Sequence, residues 1–183
     1  MECSFDEAVM RRRSVRKYDG RDIPDSALTE ILDLARRAPT SMNGQACIFV
    51  IIRKRATREK IAQIKNNHCP PEKRDYPADF LIEAPVIVAV CVERERGFGR
   101  EIENGALASG FLLLAAASRG LSGVFLTAYN RNDPELQAEI CEILQLPEGI
   151  DPVCLIPLGY PGAQPGPKLL RNIEEIVHHE RFA

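Results

Sequence analysis

Residues 11–17, Arg-Arg-Arg-Ser-Val-Arg-Lys, gather positive charge around one serine in a chain of 183 residues whose formal net charge is -2. Guanidinium forks bind phosphate oxygens in pairs and stay charged at every relevant pH, so clustered arginines beside a hydroxyl form a phosphate grip. Lys168 and Arg171 add basic residues late in the chain, and residues 39–45, Pro-Thr-Ser-Met-Asn-Gly-Gln, form a polar loop able to present hydroxyl and amide groups. Plainer readings stay open beside these. An isolated Arg-Arg-Arg is also what a solvated charged face looks like, and a polar loop also serves as a simple helix-to-strand connector.

Other chemistries lack an anchor. Gly97-Phe98-Gly99 has no third glycine and does not join strand to helix as a dinucleotide fingerprint does, and there is no Walker loop. His68-Cys69 and His178-His179 are adjacent pairs without further ligands at zinc spacing, so surface histidines and no metal site are expected. No G-x-S-x-G elbow occurs, and the 3 histidines allow no Ser/His/Asp arrangement to be placed by spacing. The 6 cysteines are scattered, with no C-x-x-C pair, and are expected as reduced thiols. An acidic balance offers no bulk attraction to nucleic acid or an anionic membrane. No apolar run reaches the roughly 18 residues of a membrane span, and the start Met-Glu-Cys-Ser-Phe-Asp-Glu lacks the regions of a signal peptide. The expectation is a cytoplasmic protein with neither nucleic-acid nor membrane partners.

The elements that must position these groups follow from periodicity. Ser4 and Glu7 make a capping box before a helix whose Phe5, Ala8 and Val9 share one face. Asp25 or Ser26 caps a second helix carrying Leu28, Ile31, Leu32 and Ala35, stopped by Pro39. The β-branched run Cys47–Ile52 predicts a buried strand, and residues 57–65 a short helix. Residues 66–79, polar and proline-containing, form the best candidate for a mobile surface excursion. Residues 85–92 read as a second buried strand, and 102–119 as a central helix apolar on nearly every side, ended by Gly120. A strand at 124–127, a helix started by Asp133-Pro134 and a strand at 153–158 precede the basic tail. With 45% hydrophobic and 27% charged residues and no linker or repeat, the chain is expected to be one α+β domain, a layered sandwich spanning residues 1–183.

Arg12-Arg13-Ser14-Val15-Arg16-Lys17-Tyr18 resembles the N-terminal signature of the FMN-dependent nitroreductase family, Arg-Arg-Ser-x-Arg-x-aromatic. Ala38-Pro39-Thr40-Ser41-Met42-Asn43-Gly44-Gln45 is similar to its second motif, Ala-Pro-Ser-x-x-Asn-x-Gln, at a fitting distance. Ala84-Pro85, Leu112-Leu113-Leu114-Ala115-Ala116 with Gly120-Leu121, the turn Gly159-Tyr160-Pro161 and the segment from Arg171 to Val177 resemble later landmarks in the same order. The resemblance implies a sandwich with a central, mostly antiparallel sheet, helices on both faces, and an obligate homodimer with FMN at the subunit interface. It implies that Arg12, Arg13 and Ser14 grip the FMN phosphate and ribityl chain, with Lys168 and Arg171 closing from the C-terminal side. Arg16 lies by the pyrimidine edge, Pro39, Thr40, Ser41, Asn43 and Gln45 reach the flavin held mainly by the other chain, and Thr127 and Ala128 present backbone N–H groups near flavin N5. Departures are Ala46-Cys47 in place of a proline and an aromatic, Gly110-Phe111 in place of Gln-Asn, a two-residue gap between Lys168 and Arg171, and no matching polar contact before Ala84-Pro85.

The activity so implied is hydride transfer from NADH or NADPH through bound FMN to an organic acceptor such as a nitroaromatic or quinone, by a ping-pong mechanism. No catalytic residue is expected beyond Arg16, whose charge tunes a flavin that becomes negative at its pyrimidine edge on reduction. Alternatives are dehalogenation, dehydrogenation or flavin fragmentation on the same fold, or a non-enzymatic protein that binds phosphate or nucleic acid through residues 11–17.

Overall fold

In a computed structural model, which describes residues 3–70 and 76–182, the chain folds around an antiparallel sheet of five strands. In chain order the elements are α1 (Phe5–Arg11), α2 (Asp25–Ala35), β1 (Cys47–Ile52), α3 (Arg55–Asn67), α4 (Phe80–Glu83), β2 (Val86–Glu93), α5 (Arg94–Gly97), α6 (Glu101–Ser118), β3 (Ser122–Gly123), β4 (Leu126–Thr127), α7 (Pro134–Leu144) and β5 (Ile150–Gly159). β2 lies between β1 and β5, and β3 and β4 both pair with the other edge of β5.

Side chains of a strand alternate between faces, and β2 is apolar on both because both faces are covered. Val86, Val88 and Val90 face the layer of α2 and α6, where they pack with Leu28, Ile31, Leu112 and Ala116. Ile87, Ala89 and Cys91 face the layer of α3, α4 and α7, with Ile61, Leu81 and Ile140. The expected sandwich with helices on both faces is therefore what forms. β1 is a correction: it has the expected limits but lies at the sheet edge, with Ile48 and Ile51 exposed and only Ile52 buried.

Helix ends follow local chemistry. The Ser4 hydroxyl accepts from Glu7 N–H at 3.2 Å and the Glu7 carboxylate accepts from Ser4 N–H at 2.9 Å, the capping box expected. Of the α1 face, however, only Ala8 is buried, and Phe5 and Val9 are exposed. α2 begins after Pro24 rather than on a capping side chain and ends at Ala35, before Pro39, in a turn closed by Ala38 N–H donating to the Ala35 carbonyl. The strand expected at 124–127 is reduced to β4 at Leu126–Thr127, and β3 at Ser122–Gly123 precedes it. In α6 one side packs on the sheet, whereas Ala106, Leu107, Gly110 and Phe111 form an exposed stripe, so the helix is not enclosed within one chain. Among the described residues no helix is long and apolar enough to cross a membrane.

The excursion at 66–79 is pinned at both ends. The Asn66 amide donates to Asp79 at 2.8 Å and accepts from Ala78 N–H at 2.7 Å, while residues 71–75 lie outside the described residues. His68 is not the surface histidine expected. Its Nδ1 lies 2.6 Å from Asp133 and its Nε2 3.0 Å from Glu139, tying the end of α3 to the start of α7. Only an imidazolium donates from both nitrogens. Its pKa is accordingly raised, by the Glu139 contact first and the Asp133 contact second, and that of Asp133 is lowered by His68. A raised histidine pKa adds stability that is complete below the unfolded value of 6.5 and is lost as pH rises through the folded value. His68→Gln should therefore lower the melting temperature by roughly 2–4 °C near pH 6, and the gap should close towards alkaline pH. A gap independent of pH in thermal denaturation would show that the ring acts by packing alone.

Candidate functional site

The basic segment is shaped by Arg13. Its Nη1 donates to the Met10 and Arg12 carbonyls at 2.6 and 2.9 Å, which closes α1 and leaves the next residues extended. Val15 N–H donates to the Gly123 carbonyl at 3.1 Å, Ser14 bridges Gly123 in parallel, and Tyr18 bridges Pro161. The buried Tyr18 hydroxyl donates back to the Val15 carbonyl at 3.0 Å, and burial pushes its phenol pKa up, so it remains a neutral donor. Along this extended stretch Arg12, Ser14 and Arg16 alternate with Arg13 and the buried Val15. At about 3.3 Å per residue, Arg12 to Arg16 spans at most roughly 13 Å.

The three basic groups on that stretch differ in freedom. Arg12 is half-buried and has no side-chain partner among the described residues. Arg13, expected in the grip, spends Nε and Nη1 on backbone carbonyls, while its Nη2 has no partner among the described residues. Arg16 is exposed, with its guanidinium carbon 5.8 Å from the centre of the Phe80 ring. Arg13 Nε also donates to the Gly166 carbonyl at 3.4 Å, which brings the tail within two residues of Lys168. Lys168 is exposed and unpartnered among the described residues, whereas Arg171 pairs with Glu175 at 3.3 Å.

Thr127 and Ala128 separate in role. Ala128 N–H donates to the Val153 carbonyl at 3.0 Å, so it is used within the sheet and cannot also serve a ligand, which corrects the expectation. Hydrogen-bonded pairs alternate along an antiparallel ladder, so the N–H of Thr127, opposite Cys154, points away from β5. The Thr127 carbonyl, on the same side, accepts from Lys65 Nζ at 2.8 Å.

The polar loop is built at the other end of α6. Met42, Asn43 and Gln45 have positive φ (50°, 53° and 50°), a backbone region costing an L-residue roughly 1–2 kcal/mol each. Three contacts hold it. Thr40 Oγ1 accepts from Gln45 N–H at 3.0 Å, and Ser41 N–H donates to Asn104 Oδ1 at 2.9 Å. Gly44 approaches α5 so closely that a Cβ there would overlap the Arg96 carbonyl oxygen. Pro39, Asn43 and Gln45 are exposed, and Thr40 and Ser41 half-buried. Thr40, Gln45 and Cys47 line a pocket of about 140 Å³ with Arg36, Ala38 and Ala108. Burial raises the Cys47 thiol to about 11, so it is protonated and no nucleophile at neutral pH. A larger cleft of about 310 Å³ lies on the side of Arg13, between α1, the end of α6 and the tail.

Asn104 was not foreseen, and it is the residue that anchors the loop. It is 2% exposed, and while accepting from Ser41 it donates through Nδ2 to the Gly97 carbonyl at 3.1 Å. The available signal is its place one and two turns before the buried Ala108 and Leu112, an amide on the apolar side of a helix. The basic stretch joins the chain at Gly123, beyond the C-terminal end of α6, and the loop joins at Asn104 near its start, so the helix from Asn104 to its end sets about 21 Å between the two attachments at 1.5 Å per residue.

A helix-covered antiparallel sheet thus carries a basic segment at one end of its long helix and a strained polar loop at the other. The model of the Nitroreductase family matches residues 9–160, and the chain belongs to that family. A provisionally named NADH dehydrogenase/NAD(P)H nitroreductase of Methanothermobacter thermautotrophicus is 34% identical over 179 residues, 96% of this chain and 86% of that one. An NAD(P)H FMN reductase of Bacillus subtilis is 26% identical over 196 residues, 96% of this chain and 73% of that one. A crystal structure of oxidized iodotyrosine deiodinase bound to FMN and 3-iodo-L-tyrosine superposes with a TM-score of 0.81 at 26% identity, covering 98% of this chain and 100% of that one.

Proposed function

We propose that this protein is an FMN-dependent oxidoreductase that takes hydride from NADH or NADPH and passes it to an organic acceptor such as a nitroaromatic or a quinone. The observation that carries the reading is Arg12: a half-buried guanidinium without a partner among the described residues, in a basic segment with Ser14 and Arg16, next to Arg13, whose bond to Gly166 ties in the tail two residues before Lys168. FMN, when bound, supplies the centre that accepts hydride from one substrate and gives it to the next.

The residues present fit that group. Arg12 and Ser14 hold its phosphate, Lys168 neutralises it, and Arg171 joins by exchanging Glu175 for the phosphate. From Gly123 beside Ser14 to Thr127 is about 13 Å of extended chain, room for a ribityl chain between the grip and the outward N–H of Thr127. Arg16 places a fixed positive charge further along the same stretch.

Pro39, Thr40, Ser41, Asn43 and Gln45 serve the site of a second subunit, because α6 separates them from the grip of their own chain. Two features support a homodimer. α6 bares Leu107 and Phe111 at 45% and 41% exposure, and the tail after Gly162 carries Leu169, Leu170, Ile173 and Phe182 at 62% exposure or more. Apolar surface of this kind marks an interface.

Anaerobic titration of the yellow protein tests the reading. NADH or NADPH should bleach the flavin absorbance, and a nitroaromatic or quinone should restore it in a separate step. Protein that binds no FMN on reconstitution would contradict it. A second reading, reductive dehalogenation, draws on the end-to-end likeness to the deiodinase, and release of iodide from 3-iodo-L-tyrosine by the reduced protein would favour it.

A further inference from the structure

β4 is 2 residues long and pairs with β5 along one edge, and among the described residues no strand pairs with its other edge. So short a strand takes its exact setting from whatever holds that open edge. There Thr127 turns both its N–H and its carbonyl away from β5. The carbonyl is taken: Lys65 Nζ donates to it at 2.8 Å. The backbone group that the edge still offers is therefore a donor, the Thr127 N–H. Lys65 is half-buried, and the end of α3 that carries it is pinned on both sides of the bond. Asn66 is bonded to Asp79 at 2.8 Å and to Ala78 N–H at 2.7 Å, and the His68 ring lies between Asp133 and Glu139 at 2.6 and 3.0 Å. The connection from β4 to α7 is thus held at its start by Lys65 on Thr127 and at its end by His68 on Asp133.

We infer that Lys65 is the positioning residue for the backbone donor that meets N5 of FMN: its ammonium, bonded to the Thr127 carbonyl, fixes the peptides on either side of the Thr127 Cα and so sets the direction of the Thr127 N–H. Electron density at N5 rises as hydride arrives, so a donor already held in place there strengthens in the transition state, and one that swings free does not. The positive charge of the ammonium acts in the same direction. This inference rests on the FMN reading above and deepens it by naming the side chain, on a helix remote in sequence, that prepares the flavin-facing edge.

The test loads the protein with FMN labelled at its ring nitrogens and reads both the N5 resonance by nitrogen NMR and the rate of flavin reduction by NADH or NADPH in stopped flow. Lys65→Met should move the N5 resonance downfield, the sign of a weakened hydrogen bond to a ring nitrogen. It should also slow reduction about 2- to 12-fold, the equivalent of one neutral hydrogen bond, and change FMN affinity less, because the phosphate grip lies elsewhere. Lys65→Arg, which can still donate to the Thr127 carbonyl, should restore both readouts. An unchanged N5 resonance and reduction rate in flavin-loaded Lys65→Met would overturn the proposal. So would a lower melting temperature with both readouts unchanged, which would make Lys65 a tie between α3 and β4 and nothing more. A wild-type protein without flavin absorbance, seen before any variant is made, would overturn the FMN reading itself and this inference with it.

Discussion

Arg16→Ala and Arg12→Ala should separate cleanly, the first changing the flavin's potential and the second its affinity. Phosphate carries its charge in both redox states, so Arg12 contributes uniform binding, and its loss should raise the FMN dissociation constant about 10- to 150-fold, the equivalent of one charge-assisted contact of roughly 1.5–3 kcal/mol. The negative charge that Arg16 answers develops at the ring only on reduction, so its loss removes a contact that strengthens as hydride arrives. If fully expressed, the same energy lowers a two-electron potential by about 30–65 mV. Arg16 is exposed, so solvent screening places the expected shift in the lower part of that interval. Arg16→Lys should recover much of the potential, because charge rather than the fork geometry is what acts. Stopped-flow reduction and dye-coupled potentials on FMN-saturated protein check the pair. An Arg16→Ala protein with unchanged potential and reduction rate would make Arg16 a partner of Phe80 and nothing more.

Ending the chain at Gly162 should convert the protein to a folded single chain that has lost FMN affinity by at least about 100-fold, since two charge-assisted contacts go with the tail. The body should survive the cut. Gly162 N–H still donates to the Lys17 carbonyl, and of the polar contacts beyond it only Arg13 to Gly166 reaches the body among the described residues. What disappears is the apolar set Leu169, Leu170, Ile173 and Phe182, which finds no cover within its own chain. The double variant Lys168→Ala, Arg171→Ala keeps that set and should remain a dimer with weakened FMN binding. Far-ultraviolet circular dichroism, light scattering and flavin titration distinguish the two. A truncated protein that stays dimeric and yellow would remove the tail from both roles.

These residues show which parts of the molecule a sequence discloses. The Ser4–Glu7 capping box acts over three residues, so its chemistry is complete in the local sequence. β2 and α6 were legible because long periodic runs declare their type, whereas α4 and α5, four residues each, are too short to show a period. β1 has the composition of a buried strand, and its exposure reflects only its place at the end of the strand order. The grip was legible as clustered charge, but not the diversion of Arg13 into closing α1. Thr127 and Ala128 could not be told apart in advance, since the direction of each N–H depends on the register of β4 against β5. His68 meets its carboxylates 65 and 71 residues away, a juxtaposition made by α3 packing on α7. Asn104 hid in an apolar helix because its partners, Ser41 and Gly97, are backbone groups brought to it by the fold.

The central claim is that each flavin is held by one chain's basic strand and completed by the other chain's polar loop. Sedimentation of the FMN-saturated protein, followed at both protein and flavin wavelengths, tests it most directly. The expected result is one boundary in both channels, at twice the mass of the chain and with two flavins per particle, and a dilution series in which flavin is released as the subunits part. A particle of single-chain mass that keeps its flavin would show that one chain suffices, and the assignment of residues 39–45 to a partner's cofactor would be wrong.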